Sequence, residues 1–149
     1  MIFLDTPILS VAYRRKYKDD AEKPIEVIML QQIVAEHKPI QVPGIVVQEF
    51  LSGLKEEAQF QKLQKLAESF PIILATQQHH IEATKIANVC RRNGIATSAT
   101  DCLIAAMAIE QKAQLFTIDQ DFMYMARYCP IRLFPKPSTE NYREIKYIA

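Results

Sequence analysis

The sequence is short of the features that mark out several whole classes of protein. Its three cysteines, Cys90, Cys102 and Cys129, are odd in number, far apart and without any Cys-x-x-Cys pair. That pattern argues against a disulfide framework and against a zinc site, so reduced thiols in a cytoplasmic protein are expected. Long apolar runs are missing too. The longest, Cys102 to Ile109, is eight residues, against the roughly 20 that a bilayer-spanning helix needs. No basic, apolar, small-residue leader precedes Asp5, so neither a membrane anchor nor a secretory signal is expected.

Charge of one sign is also lacking, since the formal net charge is +1. Nothing global advertises a polyanionic partner, and any such contact falls to local patches such as Arg14-Arg15-Lys16 or Arg91-Arg92. Internal repeats, low-complexity segments and a composition break marking a second domain are absent. With 49% apolar and 23% charged residues, disorder and collagen-like structure are excluded. A chain of 149 residues suits one domain, which buries roughly 68 to 70% of the surface its unfolded form exposes.

What is present begins at the first residue. Met1-Ile2-Phe3-Leu4 is a continuous apolar run that ends in Asp5. Such a run fits a strand covered on both faces, because a half-exposed strand would alternate. Asp5 then stands at the carboxyl end of a strand, where open α/β sheets place ligands.

Along the chain, Pro7 suits the first turn of a helix within Thr6 to Tyr17, and the polar stretch Lys18 to Pro24 is a loop. Apolar spacing predicts a helix over Ile25 to Glu36, with Val27, Ile28, Leu30, Ile33 and Val34 as its repeating positions. A strand is expected over Pro39 to Pro43, then helices over Ile45 to Leu54 and Glu56 to Phe70, the second with Lys62, Lys65 and Glu68 facing water. Pro71 to Leu74 reads as a strand and Gln77 to Asn93 as a helix closed by Gly94. Ser98-Ala99-Thr100-Asp101 has capping-box spacing ahead of a helix over Cys102 to Lys112. Strands over Leu115 to Ile118 and Ile131 to Phe134 flank a short helix from Asp119 to Tyr128. Five strands alternating with helices imply an α/β domain with a mainly parallel sheet.

Four acidic residues stand where this architecture brings them together: Asp5, Glu49, Asp101 and Asp119, with Asp121 as a fifth candidate. Taken singly, each has an ordinary explanation in helix capping and the helix dipole. Glu49 lies in a helix too apolar for a broad wet face, so a fully solvated glutamate is the less natural expectation there. Asp101, Ala105 and Ala108 form a small-residue stripe at i, i+4 and i+7 that lets the helix pack close to a central strand. If the four converge, each pair at ~5 Å and an effective dielectric of ~20 repels by roughly 3 kcal/mol, so the group must take up protons or bind a cation. Oxygen-only ligands favour Mg²⁺ or Mn²⁺ over Zn²⁺.

Four segments in order carry a resemblance: Asp5-Thr6; Val46-Val47-Gln48-Glu49-Phe50; Ala99-Thr100-Asp101-Cys102-Leu103-Ile104-Ala105; and Leu115-Phe116-Thr117-Ile118-Asp119-Gln120-Asp121-Phe122. Together they resemble the PIN-domain ribonucleases, and especially the VapC toxins of bacterial toxin–antitoxin pairs. The resemblance runs from residue 1 to about residue 134. It implies a single three-layer α/β PIN-like domain over residues 1–134, a parallel sheet flanked by helices, followed by a C-terminal tail over 135–149. It also implies metal-dependent cleavage of single-stranded or loop RNA with Mg²⁺, for which Mn²⁺ substitutes. Carried over by position, Asp5, Glu49, Asp101 and Asp119 are the acidic, metal-holding set. Thr117 supports them through its hydroxyl, and Asp121 is the alternate to Asp119. The toxin resemblance further implies a small antitoxin partner that presents a basic side chain to the acidic pocket, and a homodimer.

Pro7 departs from the family's usual small polar residue and removes a backbone donor near the site. Arg14, Arg15 and Lys16 read either as RNA phosphate contacts or as a solvated helix end. His37, His79 and His80 do not converge on a metal, and Met107, Met123 and Met125 read as filler of the core or an interface. Tyr142, Ile145 and Ile148 in the tail read as a second-protomer contact or a frayed end. A non-catalytic RNA-binding or interaction module of the same fold stays open as the alternative function. An aspartyl phosphotransfer domain is weaker, because no second aspartate follows Asp5 two residues on.

Overall fold

In the computed structural model, residues 1–135 are described. The tail expected from residue 135 onward therefore lies almost wholly outside the described residues, and with it Tyr142, Ile145 and Ile148.

The opening apolar run is strand β1 (Ile2–Leu4), and all three of its residues are buried. Because successive strand residues face opposite sides, burial of all three means that both faces of the sheet are covered there. The other strands are β2 (Ile40–Pro43), β3 (Ile72–Ile73), β4 (Gln114–Phe116) and β5 (Arg132–Leu133). All pair in parallel, in the order β3-β2-β1-β4-β5. The chain winds outward from β1 through β2 to β3, then returns across to β4 and β5. The reversal of strand order falls between β1 and β4, and at such a switch point the carboxyl ends of neighbouring strands leave a crevice. The register aligns Leu4 with Phe116, so Asp5 and Thr117 leave the sheet side by side.

Helix α1 (Thr6–Leu9) runs on into a π-helical turn, Ser10–Arg14. Asp5 caps α1 by accepting from Thr6 N, and Pro7 stands in its first turn, where the missing N–H has no intrahelical partner to lose. The expected loop follows, then α2 (Ile25–Ala35), which buries Ile25, Val27, Ile28, Met29, Leu30 and Ile33. Val34, expected among the inward positions, is 43% exposed. Helix α3 (Gly44–Leu51) ends three residues earlier than expected, and Gly53 takes the positive φ of +82° in the turn that follows. The amphipathic α4 (Glu57–Glu68) buries Leu63 and Ala67 and exposes Lys62, Lys65 and Glu68, as its spacing requires.

Helices α5 (Gln77–Arg92) and α6 (Ala99–Glu110) form a tightly packed hairpin. The α5 C-terminus runs into Gly94 at φ +73°, the left-handed position expected from the sequence. Helix α6 starts at Ala99 rather than Cys102, because the Ser98 hydroxyl accepts from Asp101 N at 3.0 Å and sets the boundary. Its residues Cys102 to Ala108 are all buried, including Ala105 and Ala108 beneath Asp101. Short helix α7 (Gln120–Met125) is capped by Asp119. Phe3, Phe50, Phe116 and Phe122 are fully buried in the core, and so are Met107 and Met125. Cys90, Cys102 and Cys129 are free thiols. Among the described residues no helix is long and apolar enough to cross a membrane.

Candidate functional site

The crevice between the ends of β1 and β4 gathers the acidic residues. Asp5 is 3% exposed. Its Oδ1 accepts from Thr6 N at 2.8 Å and its Oδ2 accepts from the Thr117 hydroxyl at 2.6 Å. Both oxygens of a buried carboxylate are therefore satisfied, which the cost of an unpaired buried charge demands. Thr117 is itself buried and does a second job, accepting from Asp119 N at 3.0 Å. One hydroxyl thus fixes a carboxylate on β1 and the main chain that carries the next acid.

Asp119 caps α7 by accepting from Asp121 N at 2.9 Å. Asp101, on the first turn of α6, completes a group with Asp119 and Asp121 in which one carboxylate oxygen from each lies within 4.8 Å of the others. Asp101 and Asp119 are half-buried and Asp121 is exposed. Asp121, the alternate in the sequence reading, therefore stands beside Asp119 rather than in place of it. Asp5 and Glu49 are outside this group of three.

Glu49 is exposed, contrary to the expectation that its apolar helix would keep it from water. The helix is short, and its first turns bury Val46 while its far side turns Gln48 and Glu49 outward. The carboxylate is nonetheless tied to the site, because Oε1 accepts from the Thr6 hydroxyl at 2.9 Å. In the sequence Thr6 stands out only as part of the Asp-Thr pair. Its hydroxyl role depends on α3 packing beside α1, a contact between elements that local sequence does not announce.

Burial raises the Asp5 carboxyl to about 6, against the lowering effect of the hydrogen bonds from Thr117 and Thr6, with repulsion from Asp119 and Glu49 adding to the rise. Asp101 is likewise raised to about 6, first by burial; its bond with Ser98 opposes the rise, and Asp5, Asp119 and Glu49 reinforce it. Two aspartates that resist ionisation beside further carboxylates form a site short of positive charge. Its donors are all carboxylate oxygens, which fits a hard divalent cation such as Mg²⁺ or Mn²⁺ and suits Zn²⁺ poorly.

The histidines stay away from this cluster. His79 is buried at the start of α5, where its Nδ1 accepts from Thr76 N at 2.9 Å while Thr76 Oγ1 accepts from His79 N. With Nδ1 an acceptor, Nε2 carries the proton and donates to Glu110 Oε2 at 2.6 Å. That bond holds the Glu110 carboxyl below its usual range. Arg14, Arg15 and Lys16 do not join the acidic cluster either. They line a groove between the π-helical turn and α4.

The arrangement is a doubly wound parallel α/β domain with a carboxylate cluster at its topological switch point. The chain belongs to the PIN domain family, whose model matches residues 2–128. Solved structures of similar fold include VapBC2 from Rickettsia felis bound to a DNA fragment from its promoter, at 22% identity and TM-score 0.69, covering 92% of this chain and 100% of that one. A toxin–antitoxin complex from Klebsiella pneumoniae matches at 20% identity and TM-score 0.62, over 82% and 90% of the two chains. VapC20 of Mycobacterium tuberculosis, described as a sarcin-ricin loop cleaving toxin, matches at 15% identity and TM-score 0.60, over 89% and 99%. At these identities the likeness is one of fold. No curated protein sequence matches significantly.

Proposed function

We propose that the protein is a metal-dependent endoribonuclease, the VapC-type toxin of a toxin–antitoxin pair, acting in the cytoplasm. The observation that carries this reading is the close grouping of Asp101, Asp119 and Asp121 at the switch-point crevice, with Asp5 locked behind them by Thr117. Membership of the PIN domain family and a fold shared with toxin chains support it. Asp101, Asp119 and Asp121 would hold Mg²⁺ or Mn²⁺, with Asp5 and Glu49 completing the acidic set. A cation bound there supplies activation of a water and charge neutralisation at the scissile phosphate.

The protein's own part is to fix the carboxylates before substrate arrives. Thr117 sets the distance between the strand ends, Ser98 orients the first turn of α6, and Thr6 holds Glu49 at the rim. Pro7 leaves this frame intact, because Thr6 N and not residue 7 supplies the donor to Asp5. The antitoxin would be a small protein that inserts a basic side chain, best an arginine, among the carboxylates. A homodimer is part of the same reading, favoured by the exposed apolar Ile72 and Leu74 at the β3 edge.

Purified protein is expected to cleave RNA with Mg²⁺ or Mn²⁺, to stop with chelator and to lose activity in Asp5→Asn and Asp101→Asn. Undiminished cleavage by both variants would sink the assignment by revealing a contaminating nuclease.

A further inference from the structure

We propose that the groove between the π-helical turn and α4 is a track for the backbone of single-stranded RNA, with Arg14, Arg15 and Lys16 on one wall and Lys62 on the other. This deepens the ribonuclease reading and rests on it for the identity of the polymer.

The groove encloses about 870 Å³, and Glu56 is the only acid among its lining residues. Four cations against one carboxylate give a local excess of three positive charges on a chain whose formal net charge is +1. A nearly neutral protein can hold a polyanion only by such concentration. All four cationic residues are exposed, and none is engaged in an ion pair or side-chain hydrogen bond among the described residues. They are free to displace counterions from phosphates, which is the main source of affinity for a nucleic-acid backbone.

The walls come from distant parts of the chain, yet both are fixed. The Tyr17 hydroxyl donates to Val11 O at 2.8 Å and folds the segment that carries Arg14, Arg15 and Lys16 back on the π-helical turn. Leu63, the neighbour of Lys62, is buried in the core. The groove's apolar lining is Ala12, Tyr13, Ala58, Leu63 and Leu66. An aromatic residue among cations suits a strand that contacts both bases and phosphates. Arg14 also lies at the far end of the helical stretch that starts beside Asp5. At a rise of ~1.5 Å per residue that is roughly 13 Å along the helical stretch from Asp5. Cations together with an aromatic residue in one groove favour RNA over an acidic protein segment as the occupant.

The test uses the full chain carrying Asp101→Asn, in chelator, so that no cleavage interferes. Binding of a fluorescent 12-nucleotide single-stranded oligouridylate is measured against salt for this protein and for the same protein with Arg15→Gln and Lys62→Gln added. Because each phosphate contact on a single strand contributes about 0.7 to the salt slope, loss of two contacts should reduce the slope by about 1.4 and the affinity by on the order of tenfold or more near 0.1 M salt. Thermal unfolding should be unchanged, as both side chains are exposed. Equal affinity and slope in the two proteins, or no RNA binding by either, overturns the proposal. So does unchanged RNA binding with loss of binding to polyglutamate, which would assign the groove to an acidic protein partner. Groove-dependent RNA binding in a protein that cleaves no RNA would refute the nuclease reading alone and leave the track standing.

Discussion

Thr117 and Asp5 are 112 positions apart in the sequence and joined by a 2.6 Å hydrogen bond, the hydroxyl donating to Oδ2 of a carboxylate that is otherwise sealed from water. The same hydroxyl accepts from Asp119 N, so the bond sets both the charge and the spacing of the site. Thr117→Val keeps the shape and removes the donor. It should cost about 2 kcal/mol, the usual penalty for leaving a buried charged acceptor short of a partner, and should raise the Asp5 pKa further. Thr117→Ser should restore most of the loss. Urea unfolding of the three proteins checks this, and equal midpoints for the wild type and the valine variant would contradict it.

The pH dependence of the cation-free protein follows from Asp5 and Asp101, both raised to about 6 from an ordinary 3.8. Between these values the native state binds more protons than the unfolded chain, so stability is fully present below about 4 and is lost as pH rises through about 6. For buried Asp5 the change is about 3 kcal/mol, and half-buried Asp101 adds less. In chelator, the urea midpoint should therefore fall between pH 5 and pH 7.5. Asp5→Asn should flatten that fall, and Mg²⁺ at pH 7.5 should recover it. A midpoint that rises over this interval in chelator would show that burial does not raise Asp5 and Asp101.

Cation affinity should separate the members of the acidic set. Asp101→Asn and Asp119→Asn, each removing a half-buried member of the close group, should weaken Mn²⁺ binding at least about tenfold, or about 1.4 kcal/mol. Asp121→Asn, at the exposed side, should weaken it less. Titration with Mn²⁺ monitored by calorimetry or by the spectrum of the free ion distinguishes the three. Equal affinity in all of them would remove the cluster as a cation site.

Away from the site, His79 ties the start of α5 to the end of α6 through Thr76 N and Glu110. His79→Ala should destabilise the protein by about 2 kcal/mol, since it removes half of a capping box and empties a buried position. Glu110→Gln should cost much less, because the Glu110 side chain is largely exposed. Neither should change Mn²⁺ affinity. A large affinity loss in His79→Ala with an unaltered unfolding midpoint would show that the histidine serves the site rather than the scaffold.

Much of this was legible from local chemistry. The uninterrupted run before Asp5 demanded a strand covered on both faces, and Ile2, Phe3 and Leu4 are buried as that requires. The spacing of Leu63 and Ala67 oriented α4 correctly, and Gly94 marked the end of α5, while α6 starts three residues ahead of the expected Cys102. These are effects of neighbours within a few residues, where periodicity, capping and φ preference act directly. Where the sequence misled, at Val34 and Glu49, a helix was short or edged by solvent in ways its composition did not reveal.

The sequence by itself determined which elements form and that each candidate acid stands at or near an element's end. Only the tertiary structure decided which acids meet. Pairing β4 directly with β1 put Thr117 beside Asp5, and packing α6 against the sheet brought Asp101 to Asp119 and Asp121. It also set Lys62 opposite Arg14, Arg15 and Lys16 across the groove. The reason is physical: caps and periodicity are fixed within one or two turns of chain, whereas strand order is chosen by burying the whole apolar surface at once. No single segment contains that information, and the site exists only where the segments close on one another.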